Sequence, residues 1–302
     1  MSKQLKVGLI GAGVFASYHA QKLSHHPRVK FTGIVDQNGK HAAELAGKHN
    51  VAHMSLGDLL ALSDAVVLAT SATAHKALSV RAPEAGCHCL IEKPIATSSK
   101  EAAVIAQLAK SKNLTVQVGH QERMIFKAIG LMDVNERPLR IEAVRNSPYS
   151  KRGIDTSVTF DLMTHDIDLC TALMGGGPDE VIGYTGCVRS ETADMAYGRL
   201  RYGDVAAHLT ASRVAEKTER WMKLTYASGE VHIDFNKKTL TNSTSFALDA
   251  NFADKAIAKD SLGAATDNFV RAILDGVQVL VGAEDGQIAV QTAERIDEGR
   301  VG

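Results

Sequence analysis

Apolar positions along this chain follow two rhythms. Up to about residue 120, short, mainly apolar runs at 6–10, 31–35, 64–69, 87–91 and 114–118 alternate with helical patterns at 14–23, 41–49, 56–62, 78–85 and 99–112. Runs without a polar face mark strands buried on both sides, and their alternation with helices predicts a parallel sheet. Beyond 119–123 the rhythm changes to period two, at 139–146, 181–188, 193–202, 205–212, 221–227 and 230–235, with one helix at 159–174. Helical patterns at 263–274 and 285–298 close the chain. The expected architecture is α/β: a doubly wound parallel sheet of the Rossmann type over 1–120, then an α+β domain on a mixed or antiparallel sheet over 121–302.

The first strand runs into Gly11-Ala12-Gly13-Val14-Phe15-Ala16, and the second ends in Asp36. This is the arrangement of a dinucleotide-binding βαβ unit. Gly11 permits the tight turn, Gly13 lets the backbone approach a pyrophosphate, and Ala16 lets helix and strand pack. The N–H groups of the helix start, at Val14, Phe15 and Ala16, are free to receive the pyrophosphate. Asp36 follows Gly13 at roughly the 20-residue spacing at which an acid binds the ribose hydroxyls. Its charge repels a 2′-phosphate, and Gln37, Asn38 and Gly39 supply no arginine to offset it. The pattern therefore points to NAD rather than NADP. Ligands of open α/β sheets bind at the carboxyl ends of strands, so Thr70, Ser71 and His75, following the third such run, line the expected cofactor cleft. His75 either approaches the nicotinamide or caps the next helix. Glu92-Lys93-Pro94 ends the next strand, which puts Lys93 beside the expected nicotinamide. Pro94 restricts Lys93 to extended backbone, and the bond between them is a candidate for the cis form.

In the second half, Asp161, His165 and Asp168 are spaced i, i+4, i+7 and would share one face of a helix. A carboxylate–imidazole–carboxylate stripe suits proton abstraction, with His165 as general base because its ordinary pKa is about 6.5. Asp161 would orient the ring or bind a substrate hydroxyl. Asp166 falls in the apolar arc of the same helix and needs a partner if buried. Lys93 would steady the negative oxygen or relay its proton.

Composition narrows the classes. At 302 residues with 45% hydrophobic content the chain can bury two cores. Lys plus Arg equals Asp plus Glu at 34 each, so no basic field draws nucleic acid or an anionic membrane. Glycines break the first apolar run, which is not a signal peptide, and no stretch reaches the ~18 apolar residues of a membrane span. Cys87, Cys89, Cys170 and Cys187 have no metal-ligand spacing and read as free thiols in a reducing, cytoplasmic setting. No metal site is expected.

The glycine turn, the acid after the second strand, the His75 loop, Glu92-Lys93-Pro94, Gly119-His120 with Glu122-Arg123, and the Asp161/His165 pair with Asp168 together resemble the Gfo/Idh/MocA oxidoreductases over most of the chain. The chain departs from that family at Ser157-Val-Thr-Phe160, where a glycine pair often stands. The resemblance implies an enzyme that oxidises a secondary hydroxyl of a sugar, an inositol or a nucleotide sugar, with Lys93, Asp161 and His165 at the chemistry. Residues 146–153 and 161–168 resemble the branch that oxidises UDP-N-acetylglucosamine at C3. Lys151 and Arg152 would then neutralise a diphosphate, and Arg123 and Tyr149 would complete the substrate pocket. Other members are simple sugar or inositol dehydrogenases, glycosidases that use NAD transiently, and non-enzymatic NAD-binding regulators. Family members commonly assemble through the second sheet, implying a homodimer or homotetramer.

Overall fold

The computed structural model describes residues 3–151 and 153–299. Two compact units divide the chain: residues up to Gln121 with Leu262–Gln287, and Glu122–Ser261 with those from Ile288 on.

In the first unit strands and helices alternate as β1 (Leu5–Ile10), α1 (Val14–His25), β2 (Val29–Val35), α2 (Gly39–Lys48), β3 (Ala52–His53), α3 (Leu56–Leu62), β4 (Ala65–Leu68), α4 (Ala72–Glu84), β5 (His88–Ile91), α5 (Ser99–Ser111) and β6 (Val116–Val118). The six strands are parallel in the order β3-β2-β1-β4-β5-β6. Every side chain of β4 is buried, as helices on both faces of a parallel sheet require. Asn38, Ser55 and Ser98 cap α2, α3 and α5 by accepting the N–H three residues on. The order reverses at β1 and β4, so the glycine turn after β1 and the segment after β4 flank the switch point. The segment from Thr70 to His75 is shorter as a loop than its pattern suggested. Its alanines and polar residues carry no apolar period, yet α4 starts at Ala72 and takes His75 into the helix.

The second unit opens with α6 (Glu122–Ile129), β7 (Arg140–Asn146), and α7 (Thr164–Met174) preceded by a wide π-type turn over Thr159–Met163. Six strands follow: β8 (Glu180–Gly186), β9 (Met195–Tyr202), β10 (Val205–Ser212), β11 (Glu219–Tyr226), β12 (Gly229–Asp234) and β13 (Thr239–Asn242). With β7 they form one sheet, β13-β12-β11-β7-β10-β9-β8, mixed because β7 and β10 run parallel while the other neighbours are antiparallel. Period two is strict: Ala196, Leu200 and Tyr202 of β9 are buried, whereas Tyr197, Arg199 and Arg201 lie on the other face. That other face is not uniformly apolar. Tyr184 and Tyr197 stack on it with ring centroids 6.3 Å apart, and the Tyr197 hydroxyl meets His208 Nδ1 at 2.7 Å. The apolar pattern did not reveal α6, because its eight residues make only about two turns, too few for a helical period to stand out.

Helices α8 (Ala256–Lys259), α9 (Ser261–Asp275) and α10 (Ala283–Glu298) complete the fold. Phe269 and Val270 of α9 are fully buried with Leu5, Leu9, Leu23 and Ile34 in the core of the first unit. Burial of this kind stabilises by about 1.5–3 kcal/mol per large apolar side chain. Residues 262–287, which a single boundary near 120 placed in the second domain, therefore belong with the first. An amphipathic period shows that a helix must be covered, not which sheet covers it. Among the described residues no helix is long and apolar enough to cross a membrane.

Candidate active site

Adjacent strand ends gather the first group of candidate residues. Gly11 follows β1 with φ +118°, and a Cβ there would lie 2.3 Å from the Ala69 carbonyl oxygen at the end of β4, so only glycine fits between these strand ends. Asp36, at the end of β2, accepts the Ala12 N–H at 2.6 Å and the Asn38 N–H at 2.7 Å, one on each oxygen. It thus pins the glycine turn, and each oxygen keeps a lone pair for a ribose hydroxyl.

The residues fit a dinucleotide. Nothing lies within 4 Å of where a Gly13 Cβ would be, leaving the backbone open to close approach. No side chain caps the α1 N-terminus, and Val14 and Phe15 are 53% and 41% exposed beside it. Those free N–H groups, with an acid at the end of the adjacent strand, are what NAD requires.

The end of β5 is built from buried polar pairs. Glu92 is buried and receives His19 Nε2 of α1 at 2.7 Å on one oxygen and the Lys93 N–H at 3.3 Å on the other. A Cβ on Gly119, after β6, would come within 2.8 Å of the Glu92 carboxylate, so glycine is required there. The Lys93–Pro94 peptide is cis, and His75 Nδ1 donates to the Pro94 carbonyl at 2.7 Å. A carbonyl only accepts, so the proton sits on Nδ1. Burial lowers the pKa of His75, with the Pro94 hydrogen bond opposing in part. His75 therefore packs as a neutral brace of the Lys93–Pro94 turn. Thr70 and Lys93 are half-buried and Ser71 is exposed.

The second group stands on and around α7. Asp161 lies in the wide turn and His165 in the first turn of α7, both half-buried. Asp161 sits in the wide turn rather than in the α-helix, so the α-helical angle implied by its spacing to His165 does not carry over directly. Asp168, the third member of the expected stripe, is 1% exposed and takes Arg123 of α6 in a bidentate pair at 2.8 and 2.9 Å. Arg123, expected to bind substrate, is itself 4% exposed in that pair. Asp166 also has a partner: Arg145 of β7 meets it at 2.7 and 2.9 Å and reaches Glu122 of α6 at 2.8 Å. Burial pushes Asp166 up while Arg145 holds it down; with two carboxylates on it, Arg145 stays charged. Gly153, with φ +72°, rests against Asp161, since a Cβ there would sit 2.6 Å from the carboxylate. Tyr149 is half-buried, its ring under Arg189 with 5.4 Å from guanidinium to centroid. Arg152 lies outside the described residues.

Sequence reasoning passed over His19, Arg145 and Arg189. His19 gave a signal: Ala16, Ala20 and Leu23 mark the buried face of α1, and a histidine among them needs a buried partner. Arg145 and Arg189 gave none, because their partners are distant in sequence.

Residues 5–120 match the Gfo/Idh/MocA oxidoreductase family with an NAD-binding Rossmann fold, and residues 136–234 match the Gfo/Idh/MocA C-terminal domain. The chain is 32% identical over 309 positions to UDP-N-acetylglucosamine 3-dehydrogenase of Acidithiobacillus ferrooxidans, covering 95% of this chain and 97% of that protein. The solved structure of that enzyme from the same organism superposes with a TM-score of 0.90 at 30% identity over 98% of both chains. A shorter likeness, 32% over 181 residues, 56% of this chain and 54% of the other, links it to inositol 2-dehydrogenase of Cereibacter sphaeroides. With both domains matched and nearly the whole length shared, the chain belongs to the Gfo/Idh/MocA family of NAD-dependent oxidoreductases acting on CH–OH groups.

Proposed function

We propose that this chain oxidises the C3 hydroxyl of UDP-N-acetylglucosamine to the 3-keto nucleotide sugar. The observation that carries the reading is the near full-length likeness to an enzyme of that name, at 32% identity with at least 95% of each chain covered.

The residues present divide the work. Gly11 to Ala16 cradle the pyrophosphate, Asp36 holds the adenosine ribose, and Thr70, Ser71, Glu92 and Lys93 flank the nicotinamide end. NAD, when bound, accepts hydride from the sugar carbon. His165, half-buried on α7, removes the hydroxyl proton. Asp161, backed by Gly153, orients the sugar or the imidazole. The Lys93 ammonium, on a turn braced by His75 and Glu92, steadies negative charge on the oxygen. Tyr149, Lys151 and Arg152 serve the nucleotide portion, while Arg123 sets the position of α7 through Asp168.

Copies of the chain are proposed to pair through the open face of the second sheet, as a homodimer or homotetramer. Tyr184 and Met195 there are 52% and 48% exposed. A monomer by light scattering at micromolar concentration refutes this.

Absorbance at 340 nm with NAD and UDP-N-acetylglucosamine, free hexoses or myo-inositol tests the activity. NADH formed with the nucleotide sugar supports the reading. The likeness to inositol 2-dehydrogenase supports a second one, and turnover of the free polyol alone would select it. Tight NAD binding with no turnover of any of them would favour a non-enzymatic regulator.

A further inference from the structure

One buried ion pair ties two loops of the second unit together. Asp194 is fully buried. Its Oδ2 accepts the N–H groups of Val188, Arg189 and Ser190 at 2.8, 2.6 and 2.9 Å, and its Oδ1 accepts Arg213 Nε at 2.8 Å. Arg213 continues outward: Nη1 donates to the carbonyls of Gly153 and Thr156 at 2.8 and 2.9 Å, and Nη2 to Thr192 Oγ1 at 2.6 Å. Thr192 in turn donates to the carbonyls of Ile154 and Thr156, both at 3.0 Å. Burial acts to raise the Asp194 pKa, but the Arg189 N–H, Arg213 and the N–H groups of Val188 and Ser190 outweigh it and hold the carboxyl well below the usual range.

Such a pair is expensive to desolvate and is weak evidence for stability by itself. Its effect is geometric. Three N–H groups on one oxygen fix the turn at 188–190, and the same pair fixes the segment at 153–156. The second segment backs Asp161 through Gly153. The first lays Arg189 over the Tyr149 ring, 5.4 Å from the centroid. Arg189 is exposed, and among the described residues no carboxylate pairs with it. A guanidinium held over a ring through its carbon, here 5.4 Å from the centroid, can still turn N–H groups to a ligand, and its planar fork matches phosphate oxygens. Tyr149 is four residues from Gly153, so the chain holds it within about 14 Å of the backbone that touches Asp161.

We propose that Arg189, seated on Tyr149, grips the diphosphate of the nucleotide-sugar substrate, and that Asp194 is the positioning residue that holds it there. This rests on the nucleotide-sugar reading above. It assigns the phosphate contact to a loop about 40 residues from the basic Lys151-Arg152 pair that the sequence offered for it.

Kinetics with UDP-N-acetylglucosamine and calorimetric titration of UDP into the NAD-saturated protein test it together. NAD saturation keeps UDP out of the cofactor cleft. Arg189→Ala is expected to raise KM and the UDP Kd about 10- to 100-fold, the range of one charge-assisted bidentate contact. Its kcat should stay within about 3-fold, with NAD affinity and thermal unfolding unchanged. Arg189→Lys should recover part of the loss. Asp194→Asn should raise KM in the same way where it folds, and the exposed Arg189 variants decide the matter where it does not. Unchanged KM and UDP affinity in Arg189→Ala overturn the proposal and leave the substrate reading standing. UDP binding weakened by Arg189→Ala, without oxidation of the nucleotide sugar by the parent protein, supports the diphosphate grip and overturns the substrate reading. No UDP binding to the parent protein overturns the grip.

Discussion

In the first unit the candidate residues stand where strands end. In the second they stand on a helix and loops held by charges from elsewhere in the chain. Gly11, Asp36, Thr70, Glu92 and Lys93 each follow a strand of one parallel sheet, and the strand order alone brings them to one edge. Asp161 and His165 have no such frame. Their helix is set by Arg123 on Asp168 and by Arg145 between Asp166 and Glu122, and the loop behind Asp161 by Arg213 on Asp194. A backbone-built site needs glycines and short turns. A site built by ion pairs needs complementary charges that are far apart in sequence and lose their hydration on folding.

The largest effect should come from the two groups the chemistry asks for. Lys93→Ala and His165→Ala are each expected to lower turnover by ~10²–10⁴-fold while NAD still binds. The 340 nm assay and an NAD titration check this. Loss in one variant only would assign the chemistry to one unit. Next in size is the clamp on α7. Arg123→Ala removes the bidentate partner of the buried Asp168, and breaking a buried pair typically destabilises by ~3–5 kcal/mol, measured by urea unfolding. Arg123→Met combined with Asp168→Leu should regain most of that stability, because it removes both charges and keeps the volume. If the double variant also keeps the parent kcat, the clamp serves stability alone. A lowered kcat at recovered stability shows that it positions His165.

This contrast explains what was legible beforehand. The Rossmann unit could be read from short, mainly apolar runs, from Gly11 and Gly13, and from Asp36 at its fixed spacing, since each signal is local. The second sheet could be read from its period of two. The face assignment on α7 was not legible. Asp168 looked like part of an exposed stripe because spacing records the angle around a helix but not what packs on that angle. The wide turn at Thr159–Met163 shifts Asp161 as well, and no residue there announces it. Asp166 was recognisable as needing a partner, whereas Arg145 as that partner was not. Helix α9 was legible as a helix, but its place in the first unit rests on Phe269 and Val270 meeting strands more than 200 residues earlier.

Smaller effects sharpen the backbone-built side. Gly119→Ala would press a methyl group against a Glu92 carboxylate that His19 holds in place, 2.8 Å away. Overpacking of this kind destabilises by about 1–3 kcal/mol. Urea unfolding should show it, with a weaker NAD affinity if Glu92 shifts. An unchanged midpoint would mean that the Glu92 pair yields easily, and the first unit would then be less rigid than its strand ends suggest.

The smallest effect is a change of slope with pH, and it isolates His75. Its pKa is lowered in the fold, chiefly by burial, so between the folded value and the unfolded value of about 6.5 the unfolded chain binds a proton that the folded chain refuses. Stability contributed by the neutral ring is thus present above about pH 6.5 and is lost as pH falls toward the folded pKa. Other histidines add slopes of their own, so the comparison must be with a variant. His75→Asn removes the titration, and its amide N–H can replace the Nδ1 donor to the Pro94 carbonyl. Urea midpoints between pH 7 and 5 should fall less steeply for His75→Asn than for the parent. Equal slopes would show that His75 takes up its proton without breaking the brace, and the Lys93–Pro94 turn would then not depend on a neutral His75.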